Sequence, residues 1–203
     1  SSYPPEWMFD PSAPEPRMEY SPVPLQATWE AMELLHAQGK ARNIGLCNLN
    51  SHGVRDLLSY ASVRPAVLQI ERHPYLQQEK LVRYCKSEGI AVVGFSPLGA
   101  AGYVEIGMAD PSELSPLKEP SVVAIANAHG VSPAQVLLRW ALQAEGGGVT
   151  AVIPKSSKPE RLAENLDVSS GFELDAVEVE AVAKLDRNTR FNDPGVFTQG
   201  MNS

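Results

Sequence analysis

Short apolar runs alternate with amphipathic stretches from residue 25 almost to the end of the chain. Four of the runs predict strands: ARNIGLCNLN, VLQIE, IAVVGFSPLG and VTAVIPKS. The stretches before, between and after these strands repeat apolar residues at the spacing of helices, as in LQATWEAMELLHAQGK just before the first strand. Nearly continuous apolar strands joined by helices predict a covered parallel sheet, so the predicted class is α/β. The pattern is compatible with a doubly wound sheet and with an arc of a (β/α)8 barrel, although four strands are too few to close a barrel.

Polar residues at the ends of these stretches predict where helices begin. Ser51 is placed to cap SHGVRDLLSYAS, and Ser132 is placed to cap SPAQVLLRWALQ, with Pro133 in its first turn. Further helices are predicted in QQEKLVRYCKSEG, PSVVAIANAHG, PERLAENLDV and DAVEVEAVAKLDR. The region 100–118 is rich in Gly, Ser and Pro, which predicts a longer connection.

The start of the chain differs in composition from the rest. Seven of the 17 prolines fall within residues 1–24, and proline is incompatible with a regular helix or a central strand. We therefore predict a proline-rich loop or extension over 1–24, with a linker as the plain alternative, and one domain over 25–203.

Charge and cysteine content narrow the function classes. The formal net charge of −7 argues against a nucleic-acid partner, because such binding rests on a basic face. It leaves room for a phosphate-bearing small ligand held by a local cluster of cations. Two cysteines cannot form a disulfide framework, and neither a secretory signal nor a membrane-spanning apolar run is visible. The expected location is the cytoplasm, with no membrane partner.

Each predicted strand ends in a polar group, and ligands of parallel α/β folds bind at those carboxyl ends. The ends are Cys47–Asn48, Gln69–Glu71, Phe95–Pro97 and Pro154–Ser156. In IPKSSKPERLAEN, the cations Lys155 and Arg161 and the hydroxyl of Ser156 surround a helix start, which is the chemistry of an anion site. The alternative is a solvated basic turn, which spacing alone favours.

Other candidates are weaker. His73 lacks the neighbours of a metal site, so we expect a structural histidine and no metal. Ser96 is not within the GxSxG motif that surrounds a nucleophilic serine. The segment GFSPLGAAG does not match the GxGxxG loop that binds dinucleotides. Glu71 could act as an acid or base, but a charged pair such as Glu71 and Arg72 at a strand end is usually solvated or salt-bridged.

Four segments together resemble, in order and spacing, the second half of an aldo-keto reductase. They are TWEAMELLHAQGKARNIGLCNLN, AVLQIERHPYLQQEKLVRYCKSEGI, VVGFSPLG and VIPKSSKPERLAEN. The resemblance covers about residues 25–193. The YPP near the start and the NDP near the end are most similar to the xylose-reductase-type branch.

The resemblance implies the C-terminal half of a (β/α)8 barrel that reduces carbonyls with NADPH. It implies that Asn48 and Gln69 hold the nicotinamide carboxamide, while Cys47 stands where the family usually has serine and would donate more weakly. Phe95 would stack on the nicotinamide. The remaining implied contacts are Ser96 and Leu98 to the pyrophosphate, Lys155, Ser156 and Arg161 to the 2′-phosphate, and Glu164 and Asn165 to the adenine. Ala100 lacks a hydroxyl often present in the pyrophosphate loop.

The family's proton donor is a tyrosine with a lysine, an aspartate and a histidine nearby, all in the first half of the barrel. None of the six tyrosines of this chain falls on that position, so no catalytic residue is predicted here. The absent N-terminal half, the two unpaired sheet edges and a start at Ser1 lead us to expect a fragment of a chain of about 300 residues.

Three functions remain open. The first is an NADP-dependent reductase of aldehydes and ketones, of the aldehyde reductase or alcohol dehydrogenase (NADP+) type, of which this chain alone is inactive. The second is a non-catalytic NADP(H)-binding half-barrel, and the third is a structural module that self-associates through open sheet edges. The resemblance places substrate selectivity in loops, including the tail near residues 191–197, so the carbonyl substrate itself cannot be predicted.

Overall fold

The computed structural model describes residues 22–99, 115–144, 148–168 and 171–192. Within these ranges the chain forms seven α-helices, four strands and one short 3-10 turn. The strands are β1 (Gly45–Cys47), β2 (Val67–Glu71), β3 (Ala91–Phe95) and β4 (Ala151–Ile153). The helices are α1 (Leu25–Ala37), α2 (Ser51–Tyr60), α3 (Glu79–Ser87), α4 (Pro120–His129), α5 (Pro133–Gln143), α6 (Pro159–Asp167) and α7 (Ala176–Ala183), and the 3-10 turn is Pro116–Lys118.

The four strands form one parallel sheet in the order β1-β2-β3-β4. Cys47 is level with Gln69, Gln69 with Val93, and Val93 with Ala151. A doubly wound sheet reverses its strand order at a switch point, whereas this order simply follows the chain, as in a (β/α)8 barrel. The α/β prediction is therefore confirmed, and the sheet is consistent with half of such a barrel.

The two faces of the sheet differ in burial. Leu46, Leu68, Ile70 and Val92 are buried in the helix-covered core, as expected when right-handed crossovers place the helices on one side. The alternate residues point to the other face, because side chains alternate along a strand. That face is only half-buried at Val67, Gln69, Val93 and Phe95.

One predicted helix cap is confirmed and one is wrong. Ser132 caps α5 through a capping box with Gln135, and Pro133 occupies the first turn. In α2 the cap is Asn50, whose side chain accepts from the N–H of Gly53 at 2.9 Å, and Ser51 is already the first helical residue. Asn50 has the extended backbone that a cap requires, so the prediction of Ser51 was displaced by one position.

Several predicted features lie outside the described residues: positions 1–21 of the proline-rich start, 100–114 of the long connection, and 193–203 of the tail. The strands containing GLC and AVI are shorter than their apolar runs.

In the described part of the chain, no single helix is long and apolar enough to cross a membrane. Taken as a pair, α4 and α5 satisfy that test of length and composition, with a bend of 96° between them.

Candidate functional site

The pairing of β1 with β2 brings three of the predicted residues side by side, at the end of β1 and in the middle of β2. Cys47 and Gln69 are register partners, and the backbone N–H of Asn48 donates to the carbonyl of Gln69 at 2.9 Å. Asn48 adopts a left-handed conformation with φ of 56°, which asparagine tolerates better than most residues. Cys47 and Asn48 are exposed, so polar groups of both are available at this edge.

Partial burial of Cys47 raises the pKa of its thiol above the ordinary value. The thiol therefore stays protonated near neutral pH. Cys47 can act there only as a weak hydrogen-bond donor or acceptor, and not as a thiolate nucleophile.

The end of β3 contributes a half-buried aromatic ring and a tight turn. Phe95 is level with Glu71 on one side and with Ile153 on the other. The chain then turns through Ser96, whose φ is 49°, to Gly99, whose φ is 81°. The N–H of Gly99 donates to the carbonyl of Ser96 at 2.9 Å, which closes the turn. We call residues 96–99 the β3 turn; its Leu98 packs against the hydrophobic core.

The end of β4 leads into the start of α6. Lys155 and Ser156 follow two and three residues after β4, and the Oγ of Ser156 accepts from the N–H of Lys158 at 3.2 Å. Lys158, the residue before α6, forms no side-chain cap bond in the described structure. The first-turn N–H groups therefore have no capping side chain, which suits an anion, although Glu160 adds a negative charge to the same turn.

Three of the predicted residues lie along α6, and two of them are exposed to solvent. Arg161 and Glu164 are exposed, and Asn165 is half-buried. None of the nine described residues of α6 is buried. A hydrogen bond from Gln135 Nε2 to the carbonyl of Glu164, at 3.3 Å, attaches this helix to α5.

Seven of the eleven predicted residues end a strand or follow one in the chain: Cys47, Asn48, Phe95, Ser96, Leu98, Lys155 and Ser156. Gln69 lies inside β2, level with Cys47, and Arg161, Glu164 and Asn165 lie in α6. Neighbouring strands lie about 4.8 Å apart, so the edge from β1 to β4 is about 14 Å long. At one end of that edge are Cys47, Asn48 and Gln69, in the middle are Phe95, Ser96 and Leu98, and beyond β4 are Lys155, Ser156, Arg161, Glu164 and Asn165. An elongated ligand with a polar ring at one end and a phosphate at the other fits this sequence of groups.

The expectation that Glu71 and Arg72 form a solvated charged pair is wrong. Glu71 and His73 are completely buried, and Arg72 is 1% exposed. Glu71 accepts a hydrogen bond from His73 Nε2 at 2.9 Å and has an ion pair with Arg190 at 3.6 Å. The salt-bridged alternative thus applies to Glu71, although its cation is Arg190 and not Arg72.

Arg72 points instead into the layer between sheet and helices. Its Nε donates to the carbonyl of Gln77 at 3.1 Å, and its Nη1 donates to that of Ala141 at 3.4 Å. The guanidinium lies 4.6 Å from the ring centre of Trp140, a cation–π contact. Burial lowers the pKa of Arg72 to about 10, and the charges of Glu79 and Asp186 oppose that shift.

A second buried polar group joins the segment after β2 to α4. The hydroxyl of Tyr75 donates to Glu119 Oε1 at 2.5 Å, and Arg187 Nη2 donates to the same oxygen at 2.6 Å. Arg187 also lies over the Tyr75 ring, 4.3 Å from its centre. Burial first, and then the hydrogen bond and the charge of Glu119, raise the pKa of Tyr75.

Sequence reasoning did not find these buried groups as a network, because their partners lie far along the chain. The partners of Glu71 include the backbone of Phe191, 120 residues away. The only local signal is a run of charged residues, ERH, between an apolar strand and a proline. Across the described ranges, no group of three or more His, Cys, Asp or Glu residues is arranged to hold a metal ion.

Four parallel strands in chain order, joined by helices, define an α/β protein, and its candidate ligand site is at the carboxyl ends of these strands. The sequence model of the Aldo/keto reductase family matches residues 8–187. The chain therefore belongs to the aldo/keto reductase family. That match begins inside the proline-rich start, whereas the domain boundary at residue 25 remains a prediction.

The curated relatives are named as xylose reductases. The chain is 48% identical over 202 residues to a probable NAD(P)H-dependent D-xylose reductase of Aspergillus clavatus, covering 99% of this chain and 58% of that protein. It is 49% identical over 193 residues to the Aspergillus fumigatus protein of the same name, covering 95% and 58%. A D-xylose reductase of Aspergillus niger is 46% identical over 193 residues, with the same coverage. The predicted similarity to the xylose-reductase-type branch is confirmed, and the chain spans somewhat more than half the length of these relatives.

Proposed function

We propose that the carboxyl edge of the sheet binds NADP(H) for an oxidoreductase that reduces aldehyde and ketone carbonyls to alcohols. The observation that carries the proposal is the order of groups along this edge, from Asn48 and Gln69 through Phe95 to Lys155 and Arg161. In a member of the aldo/keto reductase family, that order matches a nicotinamide at one end and a 2′-phosphate at the other. The name NAD(P)H-dependent borne by the relatives supports the same cofactor.

The amide side chains of Asn48 and Gln69 have the chemistry to hold a carboxamide. Each amide offers both donors and an acceptor, and their residues are fixed together by the backbone bond at 2.9 Å. Phe95 offers a half-buried ring for stacking on a nicotinamide. Cys47 replaces a hydroxyl with a weaker donor, so we expect it to contribute least of these four.

The start of α6 has the chemistry to hold a phosphate. Arg161 can donate to two phosphate oxygens, whereas Lys155 acts as a point charge. Ser156 and the first-turn N–H groups add neutral donors. Glu164 and Asn165 lie further along α6, where we place the adenine.

The bound cofactor would supply the hydride, and the residues of this chain would hold and orient it. The described tyrosines do not supply an obvious proton donor at this edge. Tyr75 is buried with its hydroxyl committed to Glu119, while Tyr60 and Tyr84 belong to helices α2 and α3. We therefore assign cofactor binding to the described residues and leave the proton donor unassigned.

D-xylose is the first substrate to test, because the curated relatives carry its name. Its open-chain form has the aldehyde that the proposed reaction requires. Reduction would give the corresponding sugar alcohol.

Charge reversal at the phosphate end tests the proposal. In a double variant, Lys155→Glu with Arg161→Glu, the dissociation constant for NADPH should rise at least about tenfold, because charge-assisted bonds are lost. The constant for NADH, which lacks the 2′-phosphate, should change much less. Both constants can be measured by titration of tryptophan fluorescence.

A matched control separates a local effect from a general change in charge. Lys80→Glu with Arg83→Glu makes the same charge change at two exposed positions of α3, and NADPH binding should be unaffected. If the unaltered chain shows no saturable binding of NADPH, the proposed function is wrong. If both double variants weaken NADPH binding equally, the phosphate end has been misplaced.

A binding role without catalysis is the second candidate. This candidate is favoured because every candidate site residue in the described ranges is assigned to binding the cofactor, and none is assigned to catalysis. It predicts saturable NADPH binding with no oxidation of NADPH in the presence of D-xylose or a simple aldehyde. Turnover by the purified chain would exclude this candidate.

A further inference from the structure

A buried carboxylate ties the last described segment of the chain to the end of β2. Glu71 Oε1 accepts from the backbone N–H of Phe191 at 2.7 Å, and Oε2 accepts from that of Asn192 at 3.1 Å. His73 Nε2 lies 2.9 Å from Oε1 on the other side. We call Glu71, His73 and the backbone of Phe191 and Asn192 the strand-end latch. Because one carboxyl group accepts both backbone N–H groups, the latch fixes the position of residues 191–192 relative to the end of β2.

The ring of Phe191 connects the latch to the β3 turn. Its centre lies 4.8 Å from that of the His73 ring. A Cβ built on Gly99 would lie 3.3 Å from Phe191 Cε2 and 2.8 Å from Pro116 Cδ. The ring and Pro116 therefore close tightly over Gly99, where no other residue has room.

The β3 turn needs such support. Ser96 and Gly99 both have positive φ, at 49° and 81°, and a serine holds that conformation only where its surroundings determine it. The turn has one backbone hydrogen bond of its own, from Gly99 to Ser96. Phe191 and Pro116 fill the space beside Gly99 where a Cβ would stand, and Leu98 packs against the hydrophobic core.

We infer that Glu71 is a positioning residue for the cofactor site, acting through Phe191 on the β3 turn. The carboxylate holds the backbone of residue 191, the backbone places the ring, and the ring fixes the turn that carries Ser96 and Leu98. The link from this turn to the cofactor rests on the proposed function, whereas the latch itself does not.

Amide hydrogen exchange of the whole chain, measured residue by residue by NMR, tests the inference. Glu71→Gln keeps the shape of the side chain but turns an NH2 group towards one of the two backbone donors. We expect the amides of Phe191 and Asn192 to exchange about tenfold faster or more, and the amide of Gly99 to exchange faster as well. The amide of Asn48, bonded to Gln69 at the same edge, should keep its rate.

A second variant separates the effect of the Phe191 ring from that of the Glu71 carboxyl group, and it can be measured even if Glu71→Gln does not fold. Phe191→Leu leaves Glu71 and the backbone bonds in place, so the amide of Asn192 should stay protected while that of Gly99 exchanges faster. Phe172→Leu, in a partly buried ring beside His129, is the matched control and should leave Gly99 unchanged. Both Glu71→Gln and Phe191→Leu should weaken NADPH binding several-fold.

Each contrary result has a definite meaning. An unchanged Gly99 amide in both variants would overturn the positioning role, and so would an equal acceleration of the Asn48 amide, which indicates general loosening. Unchanged NADPH affinity with a faster Gly99 amide would also overturn it. If the unaltered chain binds no NADPH, the proposed function fails, while the exchange rates still decide whether the latch holds the turn.

Discussion

The carboxyl ends of β2 and β4 lie at the same edge of one sheet but are built in opposite ways. At the end of β2, the polar side chains of Glu71, Arg72 and His73 are all buried. At β4, even the apolar Ile153 is 48% exposed, and the following helix α6 has no buried residue among those described. The first end is held by long-range polar contacts, whereas the second is attached mainly by its contacts with α5.

This difference indicates which part of the candidate ligand site is preorganised in the absence of the ligand. Most polar atoms of the buried groups at the β2 end bond to protein atoms, although Arg72 Nη2 and His73 Nδ1 have no partner in the described structure. The β2 end is therefore held largely by the fold itself. At the β4 end, exposed side chains follow the strand and the start of α6 has no capping side chain, so this end can accommodate an anion from outside. We therefore expect the β2 end to stabilise the protein and the β4 end to respond to the ligand.

The same substitution in the two regions gives the largest expected contrast. Leu68 in β2 is completely buried, and Leu162 in α6 is 49% exposed. Leu68→Ala should lower the free energy of unfolding by about 2–5 kcal/mol, because it opens a cavity in the core. Leu162→Ala should lower it by about 1 kcal/mol or less, since little contact is lost. Urea denaturation measures both, and equal losses would contradict the difference in burial.

The fold could be predicted from the sequence because its signal is local. The apolar runs around Leu46, Leu68, Val92 and Val152 and the periodic stretches between them predict strands and helices directly. Periodicity alone could not predict the strand order, since it says nothing about which strands are neighbours; the order in the sheet is the one that the resemblance to half of a (β/α)8 barrel implied. The prediction of the cap of α2 also failed, because Asn50 and Ser51 are both good capping residues and only the backbone conformation distinguishes them.

Removal of the Tyr75 hydroxyl should have the next largest effect on the free energy of unfolding. Tyr75 is buried and belongs to the segment that follows β2. Tyr75→Phe removes its hydrogen bond to the Glu119 carboxylate but keeps the ring beneath Arg187. Bonds to charged groups are worth about 1.5–3 kcal/mol, and Arg187 still partners Glu119. We therefore expect a loss in the lower part of that range at neutral pH, measured by denaturation. No loss would show that this bond is not significant in solution.

The same residue predicts a pH dependence. The pKa of Tyr75 is raised in the folded chain above its ordinary value of 10.0. As pH rises above that value, the unfolded chain loses the phenolic proton while the folded chain keeps it, so the free energy of unfolding falls. Below it, the contribution is fully present. The stability difference between the unaltered chain and Tyr75→Phe should therefore stay constant up to about pH 9 and shrink as the pH rises past 10.0; a constant or growing difference above pH 10.0 would contradict the shift.

The smallest expected effect concerns the cap of α2. Asn50→Ala removes the side chain that accepts from Gly53 and should cost about 1 kcal/mol. Ser51→Ala, one position later, should be close to neutral, because Ser51 is a first-turn residue. Denaturation of the two variants compares them directly, and a larger loss for Ser51→Ala would restore the original prediction from sequence.

The candidate site could be predicted only where its residues follow a strand or open a helix. Asn48 and Lys155 follow strands and Phe95 ends one, whereas Gln69 lies inside β2 and is level with Cys47 through the strand register. The role of Glu71 could not be predicted, because its partners Phe191 and Asn192 are more than 100 residues away and contribute backbone N–H groups rather than side chains. Sequence spacing has no signal for a contact of that kind.

The most direct measurement is a map of NADPH binding on the chain by backbone amide chemical shifts. The account predicts saturable changes at residues 47–48, at 69, across 95–99 and from 155 to 165, with little change on the outer surface of α3. NADH should reproduce the changes at 47–48 and 69 but not those at the start of α6. Absence of saturable changes, or changes centred away from the carboxyl edge of the sheet, would contradict the account.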